Sequence, residues 1–238
     1  MGFTYIAQAK AYSTDVGTTL DCSGALNVAA GDLLVAAVHW DSTASTPSIA
    51  DTAAGNSMTM QPAIEGSIYV DVAIGYKIAA DANSTSTFRF TLSNEADTRG
   101  IVVFQFRPDA GETVTKDAGE AGSTADNNTP QTGNISTTGD DEVVVGAIAA
   151  YSTTGWSEAE INDEAVDGEG GDDTGNYWMH LGYKVFTEPK SDIHYQAVQS
   201  TTRLWAADII AFKSAAAGGG QSVVPIIFQH YARLRQGN

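Results

Sequence analysis

The chain has 238 residues, with 12 basic against 29 acidic side chains and a formal net charge of -17 at pH 7. That balance excludes a duplex or RNA partner, because phosphate recognition needs a basic face, and it describes a solvated surface that repels like neighbours. Cys22 is the single cysteine, so no intrachain disulfide can form; at this length, apolar burial can supply a core without staples.

The opening Met-Gly-Phe-Thr-Tyr-Ile has neither a basic start nor an apolar h-region, and no apolar run approaches membrane-spanning length. The expectation is a soluble protein with no membrane partner. Composition is rich in Thr, Ser, Val, Ile and Tyr, with 24 glycines, and favours strands. Leu33 to Trp40 is a short apolar run of the kind found in core strands. Turn clusters follow at Asp51-Thr-Ala-Ala-Gly55-Asn56 and Asp81-Ala-Asn83. Thr87 to Leu92 alternates with period two, and Ile101 to Phe106 and Val143 to Ala149 are again apolar runs. Short strands separated by polar turns predict an all-β protein of sandwich or jelly-roll type.

The order of these signals repeats. Gly75-Tyr76-Lys77 recurs as Gly182-Tyr183-Lys184, and Gly31-Asp32 with its apolar run recurs as Gly139-Asp140, after a two-residue insertion Asp141-Glu142, with Val143 to Ile148. Phe88-Arg-Phe90 matches His194-Tyr-Gln196, and Gly100 to Phe106 matches Ala206 to Phe212, both at an offset of 106. Two tandem, internally duplicated β-sandwich units are therefore predicted, over 3–108 and 109–213, with a flexible C-terminal tail over 214–238. Equivalence of Tyr76 with Tyr183 and of Phe106 with Phe212, all largely buried, is the sharpest expectation. Separate sandwiches and halves of one closed fold both fit, and the short Pro108-Asp-Ala-Gly111 joint favours closely packed units.

No motif of nucleophilic catalysis, phosphate cradling or zinc ligation is present, and His39, His180, His194 and His230 read as structural histidines. Glycoside hydrolysis needs two carboxylates facing each other across a cleft; Glu158 and Glu160 would share a strand face, a placement jelly-roll hydrolases use, but they sit in a region crowded with acids. No enzyme and no cofactor are expected. The acidic stretch from Asn162 to Asn176 reads as a solvated loop; were it to hold Ca²⁺, Asp167, Glu169, Asp172 and Asp173 would be its ligands. Trp40 and Trp205 read as caps on the core, whereas Trp156 reads as an exposed loop residue able to stack on a sugar.

Gly31-Asp32-Leu-Leu-Val, Pro47-Ser-Ile-Ala-Asp51-Thr-Ala-Ala-Gly55-Asn56, the Gly-Tyr-Lys strand and the closing aromatic strand together resemble a β-sandwich pattern of tailed-phage virion accessory and decoration proteins, shared with secreted bacterial surface modules. The resemblance implies a virion component, such as a capsid decoration, head fibre or tail protein that contacts the host surface. The alternatives are a secreted carbohydrate-binding module and, third, a jelly-roll glycosidase. Beyond the Ala215-Ala-Ala-Gly-Gly-Gly220 linker, Val224, Pro225, Ile226, Ile227, Phe228, Tyr231, Arg233, Leu234 and Arg235 look like a docking peptide. Other virion proteins, further copies of the chain and a host-surface glycan are the partners expected.

Overall fold

The computed structural model describes residues 2–41, 44–53, 56–67, 70–151, 156–172 and 177–216. Every regular element among them is a β-strand. The first half contains β1 (Phe3–Ser13), β2 (Gly17–Asp21), β3 (Leu26–Val28), β4 (Leu33–Trp40), β5 (Pro47–Asp51) and β6 (Asn56–Ser57). It continues with β7 (Thr59–Met60), β8 (Ile64–Ser67), β9 (Val70–Ile78), β10 (Asn83–Ser86), β11 (Phe88–Ala96) and β12 (Arg99–Pro108). The second half contains β13 (Glu112–Gly119), β14 (Ser123–Asn127), β15 (Glu142–Tyr151), β16 (Trp156–Ile161) and β17 (Glu164–Ala165). It closes with β18 (Gly168–Asp172), β19 (Tyr177–Phe186), β20 (Tyr195–Gln199) and β21 (Arg203–Ala216).

Each half builds one large antiparallel sheet, in the orders β1-β12-β4-β9-β7 and β13-β21-β15-β19-β18, and smaller sheets that cover it. The stack has four layers. The large sheets face each other across a central core that mixes Leu33, Val35, Phe104 and Phe106 with Val143, Val145, Ile210 and Phe212. On the outside of the first large sheet, Leu34, Ala36, Val38 and Trp40 pack against Phe88, Phe90 and Leu92 of β11. On the outside of the second, Val144, Ile148 and Trp205 pack against Ile161 and Tyr195.

This layering explains the unbroken apolar runs. A strand covered on both faces has no solvent side to leave polar, and β4 is buried at all eight positions. At about 1.5–3 kcal/mol for each large apolar side chain removed from water, two-sided burial is the main source of stability.

The duplication holds at the level of register. Leu33 lies opposite Ile78 and Phe106, and its counterpart Val143 lies opposite Val185 and Phe212. Tyr76 and Tyr183 then occupy equivalent places, opposite Val35 and Val145. Even the bulge in the flanking strand recurs, between Tyr5 and Ala7 in β1 and between Lys116 and Ala118 in β13. Phe106, Phe212 and Tyr183 are buried; Tyr76 is half-buried against the central core.

The two halves meet as the subunits of a two-fold dimer would, each contact having its mirror. The Tyr76 ring lies 5.0 Å from Phe212, and the Tyr183 ring 5.0 Å from Phe106. Tyr5 stacks on Tyr183 at 5.2 Å, and its counterpart Lys116 sits 6.0 Å over the Tyr76 ring. The side chains in these mirrored contacts differ, so the symmetry is one of backbone. A Cβ on Gly119 would come 2.7 Å from Gln61 Oε1, so that glycine makes room for the buried glutamine, whose amide donates to Asp208 Oδ2 at 2.8 Å.

Three sequence expectations need correction. The register places Glu142, not Asp140, in the position of Asp32, so Asp140 and Asp141 belong to the preceding turn. Both acids are buried, and each accepts the amide three residues earlier, Ala29 to Asp32 at 2.7 Å and Gly139 to Glu142 at 2.5 Å. Matching Phe90 to Gln196 also fails: Phe88, Phe90 and Leu92 point inward, as do Tyr195, Ala197 and Gln199. An even offset swaps the faces of this strand, and only an odd one keeps inward on inward. The tail boundary at 214 falls inside β21, because Ser214 to Ala216 pair with Val114 to Glu112.

Candidate functional site

The central seam ends, at the C-terminal ends of β4 and β15, in a group of rings and carboxylates. Alternation puts Tyr12, His39, Tyr151 and Tyr177 on the inward faces of the two large sheets at this pole. Tyr151 and Tyr177 lie opposite each other in the ladder with ring centroids 5.2 Å apart. Tyr12 stacks on His39 at 6.0 Å. Gly100 permits this stacking, because a side chain there would overlap the His39 ring.

Asp41 holds the adjoining turn, its Oδ1 accepting the amides of Asp97 at 2.8 Å and Thr98 at 3.2 Å. Burial pushes the Tyr177 hydroxyl up to about 12, with the charges of Asp41 and Asp97 and the neighbouring Tyr151 and Tyr12 adding to it. Tyr177 is therefore a neutral hydrogen-bond donor at all ordinary pH. Tyr12, Tyr151 and Tyr177 are each partly exposed residues, with the Tyr12 hydroxyl itself buried. Half-exposed aromatic faces beside carboxylates can stack on the C–H face of a sugar ring and accept its hydroxyls.

At the opposite pole the first and last described segments meet. The Gly2 amide donates to Asp141 Oδ1 at 3.0 Å, Ser214 Oγ donates to the Gly2 carbonyl at 3.1 Å, and the Asp109 amide donates to the same carbonyl at 3.2 Å. The chain leaves the described body at Ala216, on this side.

Near the acidic stretch, the second half carries a buried polar chain. Tyr195 is fully buried, its ring laid across the Gly146–Gly182 pair, and its hydroxyl is hydrogen-bonded to His180 Nδ1. His180 Nε2 meets Glu169 Oε2 at 3.0 Å. Burial lowers the His180 pKa and outweighs the attraction of Glu169. The chain ends on a fully buried phenol, so each member of it has a hydrogen-bond partner inside the fold.

Over its described residues, 162–172, the expected acidic loop is largely strand. Glu164–Ala165 pairs with β16, and Gly168–Asp172 pairs with β19 along the edge of the second large sheet. Asp167 accepts the Val185 amide at 2.8 Å, whereas Glu169 turns to His180. The pleat sends neighbouring acids to different partners, and no group of three or more metal-ligating side chains forms among the described residues. The Asp172 side chain and Asp173 lie outside them.

Trp156 opens a strand, opposite Gln199, rather than standing on a loop; its side chain lies outside the description, as does that of Glu158. Glu160 accepts from Gln196 at 2.7 Å. Trp40 and Trp205 are core residues. The docking residues Val224, Pro225, Ile226, Ile227, Phe228, Tyr231, Arg233, Leu234 and Arg235 also lie outside the described residues. Sequence reading missed the ring cluster, although one signal was there: each apolar run ends in an aromatic residue, Trp40 or Tyr151. Only the sheet pairing shows that Tyr12 and Tyr177 join Tyr151.

The fold defines a class, a tandem β-sandwich protein with the two large sheets face to face. No known family matches the chain, and no curated protein matches it. Among solved structures it is similar to the N-terminal CBM22-1-CBM22-2 tandem domain from Paenibacillus barcinonensis Xyn10C, with 10% identity over 90% of this chain and 94% of that one. The TM-score is 0.23, too low to carry an argument.

Proposed function

We propose that this protein is a non-catalytic accessory component of a phage particle, a capsid decoration, head fibre or tail protein, that turns its ring-and-carboxylate pole towards a glycan on the host surface. The observation that carries the reading is polarity. The rings of the partly exposed residues Tyr12, Tyr151 and Tyr177 gather at one pole, and the chain leaves the body towards residues 217–238 at the other. Such a body can be held at one end while the other stays free to bind. The same pole would also serve a secreted carbohydrate-binding module, the second reading, which has no use for particle attachment.

The test joins two measurements. Glycan-array binding of the full chain should favour particular glycans and fall at least about tenfold in Tyr177→Ala, since stacking and one hydrogen bond are lost. Mass spectrometry of purified particles should find the protein, and a chain lacking 217–238 should be missing from them. Glycan binding without any particle association would select the second reading, and failure of both would end the proposal.

A further inference from the structure

The two Gly-Tyr-Lys lysines are equivalent in register, Lys77 opposite Leu34 and Lys184 opposite Val144, and both point to the outer face of their sheet. Their surroundings differ. Lys184 is enclosed, 11% exposed, and its ammonium meets Glu164 at 3.2 Å, Asp167 at 3.6 Å and the Ala165 carbonyl at 3.0 Å. The turn that carries those acids covers the lysine with the chain's own carboxylates. In the first half a cleft of about 340 Å³ opens at this place, lined in part by Lys77, Asp51, Asp81, Asn83 and Ser86. Among the described residues no hydrogen bond or ion pair engages Lys77.

The rest of the cleft is already set. The Asp51 carboxylate is buried, accepts Ser86 Oγ at 2.7 Å and the Ala53 amide at 2.9 Å, and so forms a fixed polar floor. Asn83 uses its Oδ1 on the Thr85 amide at 3.0 Å, which leaves its NH₂ to donate. Asp81 is exposed at the rim and can accept. The volume is at the small end of the range of about 300–1,000 Å³ for ligand sites, enough for one sugar-sized group.

We infer that this cleft binds a sugar acid, whose carboxylate takes the place at Lys77 that Glu164 and Asp167 hold at Lys184, and whose hydroxyls reach Asp81, Asn83 and Ser86. A simple anion satisfies only the lysine and meets two carboxylates on the walls, so charge alone does not suffice. A neutral sugar leaves the ammonium without its counter-charge. The ligand needs both groups on one small ring, as a uronate has. This site lies at the pole opposite the ring cluster and stands or falls apart from the function proposed above.

The experiment is NMR titration of the full-length protein with glucuronate, with glucose and acetate as controls. Glucuronate should shift the signals of Lys77 and of residues 80–83 in a saturable way, at least about tenfold more tightly than either control. Lys77→Met should abolish that advantage, Lys77→Arg should keep most of it, and Tyr177→Ala should leave it unchanged. Melting temperatures near that of the parent would show the variants folded, as expected for a half-exposed side chain. Equal affinity for acetate or glucose, no saturable shift, or undiminished binding by Lys77→Met would each overturn the assignment.

Discussion

The two halves share a backbone plan and use it differently. Where the first half has Ala36 opposite Gly75, the second has Gly146 opposite Gly182, and the space gained takes the whole Tyr195 ring. Where the first half pairs buried Asp32 with Arg107 at 2.8 Å, the second sets Glu142 beside Asp117, which Lys213 pairs at 2.7 Å. Burial opposes ionisation of Asp117, yet Lys213 and the Thr138 hydroxyl bring its pKa down to about 2. Duplicated units thus keep what the ladder requires, inward apolar faces and a buried acid at the strand entrance. They diverge wherever a side chain only has to fill space.

The comparison is most easily broken at the glycine pair. Gly146→Val places a branched side chain where the Tyr195 ring lies and should cost about 3 kcal/mol or more, or prevent folding, by chemical denaturation. Ala36→Val, at the equivalent place, where the packing against Phe88, Phe90 and Leu92 already accommodates a Cβ, should cost less. Equal losses would mean that Tyr195 does not depend on the glycines.

The mirrored tyrosines come next. Tyr183→Ala empties a site bounded by Tyr5, Phe104 and Phe106 and should cost about 3 kcal/mol, as truncating a buried aromatic does. Half-buried Tyr76→Ala should cost about half as much by the same measurement. A larger loss at Tyr76 would contradict the asymmetry of the seam.

A charge in the seam gives a smaller, pH-dependent effect. Burial pushes the Asp208 carboxyl up to about 6, and Glu120 adds to this, while the Ile209 amide, Gln61 and Lys116 oppose it. A carboxyl with a raised folded pKa holds its proton more tightly folded than unfolded. Its contribution to stability therefore falls as pH rises from about 4 to about 6 and is constant above. Asp71, pushed up to about 7 by burial and by Glu65, acts in the same direction over a wider window. Asp32 and Asp117, held below the usual range, act in reverse and lose their contribution below about pH 4. The melting temperature should therefore rise from pH 7.5 to about 5 and drop below 4. Asp208→Asn should stabilise the protein at pH 7.5 by about 2 kcal/mol and flatten the slope. An unchanged slope would remove Asp208 as its source.

The smallest effect separates the two lysines. Lys184→Met, which leaves Glu164 and Asp167 without their cation, should cost about 1 kcal/mol because both acids remain partly exposed. Lys77→Met should cost nothing measurable in thermal unfolding.

The all-β class, the doubling of the unit and the equivalence of Tyr76 with Tyr183 and of Phe106 with Phe212 could be read from the sequence. Alternation and apolar runs are local consequences of which strand faces are covered, and a repeated order of runs survives divergence. The placement of Glu142 and the face of β20 could not be read, since a shift of one or two residues changes little in composition and decides every side chain's direction. The acidic stretch looked like a loop because its glycines and acids are those of turns, yet β19 offered it an open edge to pair with. The short joint at Pro108 to Gly111 favoured close packing of the halves, but which faces would meet was beyond the sequence as well. Two-sided burial of β4 and β15 looks the same in one dimension whichever sheet supplies the second cover. What the sequence determined by itself was therefore the strands and their repetition, which depend on neighbours along the chain. The tertiary structure alone decided the seam between the large sheets, the rings gathered at its end and the open cleft at Lys77, because these join residues that only sheet pairing and packing bring together.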